Sequence, residues 1–375
     1  MRILILNWRD INNPSSGGAE ILTHEIAKRL VVLGNDVVQF SSFFPGAHRK
    51  ETVDNVEIVR EGNADIRSLF SSVHFRAFLF YQREKRKFDV VIDEIHGIPF
   101  FTPWYVKEKK VVLICEVASD LWIKVFGLFF GLLGRMIEKF YLFLVYKNIL
   151  FITISDSTKK DLIENGVNKE NVIVLPMGIN VPRNIEDIKK EKEKTLIFVG
   201  RLTAAKGIEE TLSALKEIIR RDKDVRLWIV GKGEANYVQK LKRMCKQLHI
   251  EDNVTFYGFV SERKKFTLLA RAHLLIHLSH REGFGLTIPE AGCVGTPVVA
   301  YNSPGLRDIV KNGKNGILVA ENSPKSLANT SIRLLSNDSL YQKLCQGARE
   351  EARQYNWDNT VNVMLNSLKN LKNYD

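Results

Sequence analysis

The stretch REGFGLTIPEAGCVGTPVVA, residues 281–300, sets two carboxylates, Glu282 and Glu290, eight positions apart across a turn punctuated by Gly283 and Gly285. Glycine takes positive φ at no steric cost, so main-chain N–H groups in such a turn approach an anion that a Cβ would hold off. Pro289 suits the first turn of a helix, where no N–H is needed, and the spacing predicts a helix from near Thr287 through Glu290, Ala291 and Gly292. Its N-terminus faces the same turn and favours phosphate. After Gly295, residues 297–300 are apolar without alternation, as a strand buried on both faces requires. Loop, helix and strand in that order belong to a parallel α/β sheet. Carboxylates accept hydrogen bonds from hydroxyls and repel phosphate, so the pair suits a ligand that is both polyhydroxylated and phosphorylated. A plainer account makes Glu282 a solvated loop residue and Glu290 an acid favoured by the helix dipole.

Outward from this stretch the same alternation continues. Strands are expected at 195–199, 226–230, 253–257, 274–278, 297–300 and 316–319, with helices between. The first half repeats the pattern, with strands at 2–6, 37–40, 56–59, 90–92, 111–114 and 149–154. A helix over 19–33 carries Ile21, Leu22, Ile26, Leu30 and Leu33 at helical spacing and closes on Gly34. The charge run IEDIKKEKEK after Pro182 suits a linker. A chain of 375 residues exceeds the usual single domain, so two doubly wound α/β domains are expected, 1–180 and 181–355.

Composition narrows the classes. Hydrophobic residues at 45% and charged residues at 26% describe a globular chain rather than a disordered one. Cys115, Cys245, Cys293 and Cys345 lack paired spacing and read as reduced thiols, and the apolar start at 3–6 is a strand rather than a signal peptide, so a cytoplasmic location is expected. The net charge of +12 calls for an anionic partner, and most of the excess, 29 basic against 20 acidic residues, lies in 191–375. No zinc-finger spacing, RNA-binding aromatic strand or basic tail points to nucleic acid. The first glycine loop, NNPSSGGAE, lacks G-x-G-x-x-G, and SSFF rather than an acid follows Phe40, which disfavours a dinucleotide-dependent oxidoreductase.

EGFGLTIPEA, GTPVVAYNSPGLRDIV and NGILV together resemble the signature of the family 4 retaining glycosyltransferases, also called glycosyl transferases group 1. The resemblance implies the GT-B architecture: two Rossmann-like domains facing a cleft, the first binding acceptor, the second nucleotide sugar, with the last helix, 356–375, crossing back to the first. It implies metal-independent transfer of a hexose, with retention, from a UDP- or GDP-linked donor to a glycan or lipid-linked acceptor in polysaccharide or glycoconjugate synthesis. No cofactor beyond the donor substrate is implied.

Carried onto this chain, the resemblance makes Glu282, Arg201 and Lys206 the catalytic set. Arg201 and Lys206, in VGRLTAAKG, neutralise the leaving diphosphate. Glu290 bonds the ribose, while Glu282 and the amides of Phe284 and Gly285 bond the hexose. Gly283, Leu286 and Thr287 complete that loop, and Gly231 and Gly233 of WIVGKGE, Phe259 and Val260 of FYGFVSERK, and Gly17 and Gly18 of NNPSSGGAE complete the donor pocket. On the acceptor side stand His96, Ser155 and Cys115, the last where the family often has histidine. That departure motivates a rival, a catalytically weak binding or scaffold subunit; a glucan-elongating synthase is a closer alternative.

Residues 121–151 are strongly apolar, but Lys124, Arg135, Glu138, Lys139 and Lys147 leave uncharged runs of at most ten residues, too short to span a bilayer. A helix buried in the domain core is expected. The alternative is an apolar stripe resting on an anionic membrane, at the inner face of the cell membrane, where a lipid-linked acceptor would be met.

Overall fold

The structure, a computed structural model, describes residues 1–371 apart from 66–68, 85–86, 120, 184 and 186–187. The chain forms two compact units, Met1–Gly178 with Asn356–Asp375, and Ile179–Tyr355.

The first unit is built on eight strands: β1 (Arg2–Leu6), β2 (Asp36–Ser41), β3 (Lys50–Val53), β4 (Val56–Arg60), β5 (Val90–Ile95), β6 (Lys109–Ile114), β7 (Leu150–Thr153) and β8 (Val172–Val174). Their order is β3-β4-β2-β1-β5-β6-β7-β8, parallel throughout except for the β3–β4 hairpin. Central strands such as RILIL and VVIDEI have almost every residue buried, because helices cover both faces of a parallel sheet. The sequence reading did not anticipate β3. It is a four-residue edge strand, KETV, and its two-residue turn is made by Asp54 and Asn55 at φ 49° and 64°, which Asp and Asn tolerate better than most side chains. The three-residue β8 at the opposite edge was also missed.

The final helix, Trp357–Lys369, belongs to this first unit. Asn356 caps it, Thr360 Oγ1 donates to the Pro176 carbonyl at 2.6 Å, and the Arg29 guanidinium lies 5.4 Å from the Trp357 ring centroid.

The segment expected to lie in the core does not. In the helix Leu121–Phe140, broken at Gly127 (φ 75°), the described side chains after the break face the protein on one side only: Gly131 and Gly134 pack on Ile123 and Trp122, and Glu138 accepts bonds from the Ala118 and Ser119 amides, each at 2.8 Å. Leu128, Phe129, Phe130, Leu132, Leu133, Met136, Ile137 and Phe140 are exposed instead. Helical periodicity marks an apolar face but carries no information about what covers it. No helix among the described residues is long and apolar enough to cross a membrane.

The second unit holds β9 (Thr195–Val199), β10 (Arg226–Val230), β11 (Val254–Gly258), β12 (Leu274–His277), β13 (Val298–Ala300) and β14 (Gly316–Leu318). The all-parallel order is β11-β10-β9-β12-β13-β14, so the chain reverses its direction of travel across the sheet between β9 and β12. Such a switch point opens a crevice beyond the strands' carboxyl ends, where ligands of these sheets bind.

Candidate functional site

The loops that leave β9 and β12 meet at that switch point. Lys206 ends a short 3-10 turn, Ala204–Lys206, after β9, and its Nζ forms an ion pair with Oε1 of Glu282 in the loop after β12. Only 22% of the lysine side chain and 14% of the glutamate are exposed. Burial works to raise the Glu282 carboxyl pKa, but the Lys206 ammonium outweighs it and the group is held below its ordinary value. Glu282 is therefore ionised at neutral pH. His277, the last residue of β12, brings Nε2 to 3.8 Å from the same carboxylate, and burial pushes this imidazole down to about 4.

Between the two carboxylates the expected turn forms with one correction. Gly285 adopts φ 87° and a Cβ there would come within 3.2 Å of Leu306, but Gly283 does not enter the positive-φ region. The strain-relieving glycine is a single one. Phe284 turns its ring edge onto Tyr355, 5.7 Å between centroids, and Leu286 leads into the helix Thr287–Cys293. Glu290 in that helix is held from one side only. Its Oε1 accepts from Lys265 Nζ at 2.8 Å, with Lys265 also paired to Glu262 at 2.9 Å. Its Oε2 is buried without a partner among the described residues, and so is the Thr287 hydroxyl one turn earlier. Burial raises the Glu290 carboxyl pKa, with Lys265 pulling against it.

The other candidates of this unit fall into place less directly. Arg201 is exposed on the same loop as Lys206. The amide of Gly231 donates to the Gly258 carbonyl at 2.8 Å, and Leu202 N donates to Lys232 O at 2.6 Å. A Cβ on Gly231 would lie 1.8 Å from the Gly200 carbonyl oxygen, and one on Gly233 2.6 Å from Leu202. These glycines let three strand-end loops close on one another; the Gly231 amide is already engaged. Phe259 is 73% exposed with the Lys232 ammonium 4.4 Å from its ring centroid, and Val260 packs against the core. The triplet Asp222-Lys223-Asp224 has the spacing of a metal-binding acid pair, but it precedes β10, at the amino ends of the strands, with Asp222 held by Lys194 at 3.0 Å.

Gly17, Gly18, His96, Cys115 and Ser155 all belong to the first unit. Gly17 caps the helix Gly18–Val32, but its N–H already donates to Glu20 Oε2 at 2.7 Å, so this amide is engaged in the cap rather than presented to an anion. His96 follows β5 and bonds Oε1 of the fully buried Glu94 at 2.9 Å, beneath a stacked Trp8 ring. Burial alone would lower the His96 pKa; Glu94 reverses this and raises it. Glu94 Oε2 accepts from Asn7 Nδ2 at 2.6 Å and Thr23 Oγ1 at 2.5 Å. Burial, with Glu94 adding to it, pushes the Cys115 thiol well above its ordinary range, so it stays protonated. Ser155 is a helix cap: its Oγ accepts from Thr158 N at 3.2 Å, ahead of the helix Asp156–Glu164.

Three participants escaped the sequence reading. Glu94 was detectable as an acid in the apolar run VVIDEI, and His277 as the polar end of LLIH. Lys265 carries no local signal, since its partner lies 25 positions away.

The family model for glycosyl transferases group 1 matches residues 181–354, and that for glycosyltransferase family 4 matches residues 16–183. The uncharacterized glycosyltransferase MJ1607 of Methanocaldococcus jannaschii is 33% identical over 241 residues, 60% of either chain, so the chain matches under two thirds of that relative's length. A second glycosyltransferase of that organism, MJ1069, is 26% identical over 93% of either chain. Among solved structures, Anabaena Alr3699/HepE in complex with UDP and glucose superposes with a TM-score of 0.77 at 18% identity, over 99% of this chain and all of that one. The two parallel-sheet units thus have the fold of GT-B glycosyltransferases, and the chain belongs to the family 4 glycosyltransferases.

Proposed function

We propose that the protein transfers a hexose, with retention of anomeric configuration, from a nucleoside diphosphate sugar to a glycan or lipid-linked acceptor. The observation that carries this reading is the half-satisfied Glu290: a carboxylate fixed by Lys265 through one oxygen, with its second oxygen buried and unpartnered, one helical turn after the equally unpartnered Thr287 hydroxyl. An orphaned buried acceptor costs stability unless a ligand satisfies it. Vicinal ribose hydroxyls supply the required donors.

Glu282, ionised beside Lys206, accepts hydrogen bonds from hexose hydroxyls. Lys206 then stands between the sugar-binding carboxylate and the diphosphate, and with Arg201 it stabilises charge developing on the leaving group. The neutral His277 leaves the charge balance of this pair unaltered. In this reading the donor is the only small molecule required, and neither a metal nor another cofactor takes part. The UDP found with Anabaena Alr3699/HepE makes UDP-hexoses the first donors to test. Against a scaffold role stands the presence of both the Lys206–Glu282 and Lys265–Glu290 pairs; in its favour stands only the protonated thiol of Cys115.

A thermal-shift panel of UDP, GDP, ADP and their hexose conjugates tests the proposal, since a ligand that binds the native state stabilises it by mass action. Stabilisation by one base, followed by release of that nucleotide with an acceptor present and an NMR spectrum showing the donor's anomeric configuration kept, is the expected outcome. No shift with any nucleotide would favour the scaffold reading.

A further inference from the structure

The exposed face of the helix Leu121–Phe140 continues into the following turn, Tyr141–Val145, where Phe143 and Leu144 also stand in solvent. Ten large apolar side chains between positions 128 and 144 are 46–77% exposed. A soluble monomer's largest apolar patch ordinarily covers roughly 300–600 Å², and patches beyond that mark an interaction surface.

We propose that this segment is a seat that lies in the plane of an anionic membrane surface. Three features select a bilayer over a protein partner. At 100° per residue, positions 128 to 140 spread their exposed apolar side chains over an arc of about 200°, wider than the stripe of about 100° that a helix presents to a packed neighbour. A fluid interface accommodates that width.

The second feature is charge. Lys139 and Lys147 are exposed at the margin of the patch, and the Lys147 ammonium lies over the Phe143 ring, 5.7 Å from its centroid, which places a cation at the apolar edge. The only acid between positions 121 and 151, Glu138, is buried and turned inward onto the Ala118 and Ser119 amides. Among the described residues of 121–151 the face is therefore apolar with a cationic edge and no exposed acid, which complements anionic headgroups over an acyl boundary.

The third is rigidity. Gly131 admits the Ile123 backbone, Gly134 admits the Trp122 ring, and Glu138 also takes the Trp122 Nε1 hydrogen at 3.2 Å. The helix is anchored from beneath with its apolar side outward, so no ordering has to precede contact with a bilayer. This inference stands apart from the donor assignment.

The test is flotation of the purified full chain with vesicles of phosphatidylcholine alone and of phosphatidylcholine with a third phosphatidylglycerol. The wild type should float with the anionic vesicles and less so as salt rises. The variant F129S/F130S/M136S should lose at least tenfold in partition, and K139E/K147E should lose the preference for anionic lipid; near-ultraviolet circular dichroism checks that both remain folded. Absence of flotation with anionic vesicles would overturn the proposal. So would a stable dimer that the triple variant splits while vesicle binding is nil, which would assign the face to a second copy. Neither result depends on which nucleotide the protein binds.

Discussion

The first unit holds a buried glutamate near the carboxyl end of β5 and the second holds one on the helix Thr287–Cys293 after β12, and the two are handled in opposite ways. Glu94 on β5 has both oxygens occupied, by Asn7 and Thr23 on one and His96 on the other. Glu290, on the helix after β12, is tied to Lys265 through one oxygen and leaves the other without a partner among the described residues, while Glu282 is charged and paired with Lys206. A carboxylate whose capacity is filled from within organises its neighbours. One with capacity to spare has room for a donor that the fold itself does not supply.

The difference predicts which substitutions damage stability and which damage chemistry. Glu94→Ala strands three buried polar groups, at about 1–3 kcal/mol each, and should cost roughly 4 kcal/mol in denaturant unfolding. Glu282→Ala should reduce sugar transfer by about 100-fold or more, the scale of losing one transition-state contact, with UDP affinity nearly unchanged. If Glu94→Ala unfolds no more easily than Glu282→Ala, the comparison fails.

Within the second unit, Lys206→Met leaves Glu282 buried without its counter-charge and should cost about 3 kcal/mol, most of it recovered in the double variant Lys206→Met/Glu282→Gln. No recovery would mean that the lysine acts through packing rather than charge.

The pH dependence follows from His277. An unfolded imidazole takes up a proton near 6.5 and the buried one only at about 4, so the unfolded state binds more protons between these values. Stability should fall as pH drops through that window, by at most about 3 kcal/mol from this residue. His277→Gln should flatten the slope and leave the shares due to His273, which burial pushes down to about 4, and to His74, which burial also lowers. An unchanged slope would deny the buried neutral state.

The smallest expected effect concerns the first unit. A Cβ on Gly178 would lie about 2.4 Å from the Trp357 ring, so Gly178→Ala should cost about 1–2 kcal/mol without altering nucleotide binding. A stability change below a few tenths of a kcal/mol would show that the last helix docks loosely.

Much of this was legible in residues 281–300. Glycine, proline and an apolar tetrapeptide are local signals, and they placed the turn at Gly285, the helix at Thr287–Cys293 and the strand Val298–Ala300. What escaped was decided at a distance. Lys265 meets Glu290, and Asn7 and Thr23 meet Glu94, only because strand order brings them together. The edge strands β3 and β8 are too short and too polar or half-buried to show a period. The helix Leu121–Phe140 looked like core because apolar periodicity is the same whether the cover is protein or lipid. Gly231 and Gly233 make close loop contacts, and a short glycine motif does not by itself distinguish such contacts from the approach of a ligand.

Calorimetric titration of UDP into the wild type, Glu290→Gln and Glu282→Gln tests the central assignment most directly. The account predicts that Glu290→Gln weakens UDP by about tenfold or more, one or two hydrogen bonds to a charged acceptor, while Glu282→Gln stays within about threefold of wild type. Equal affinities across all three proteins would contradict the placement of the ribose on Glu290 and, with it, the proposed orientation of the donor.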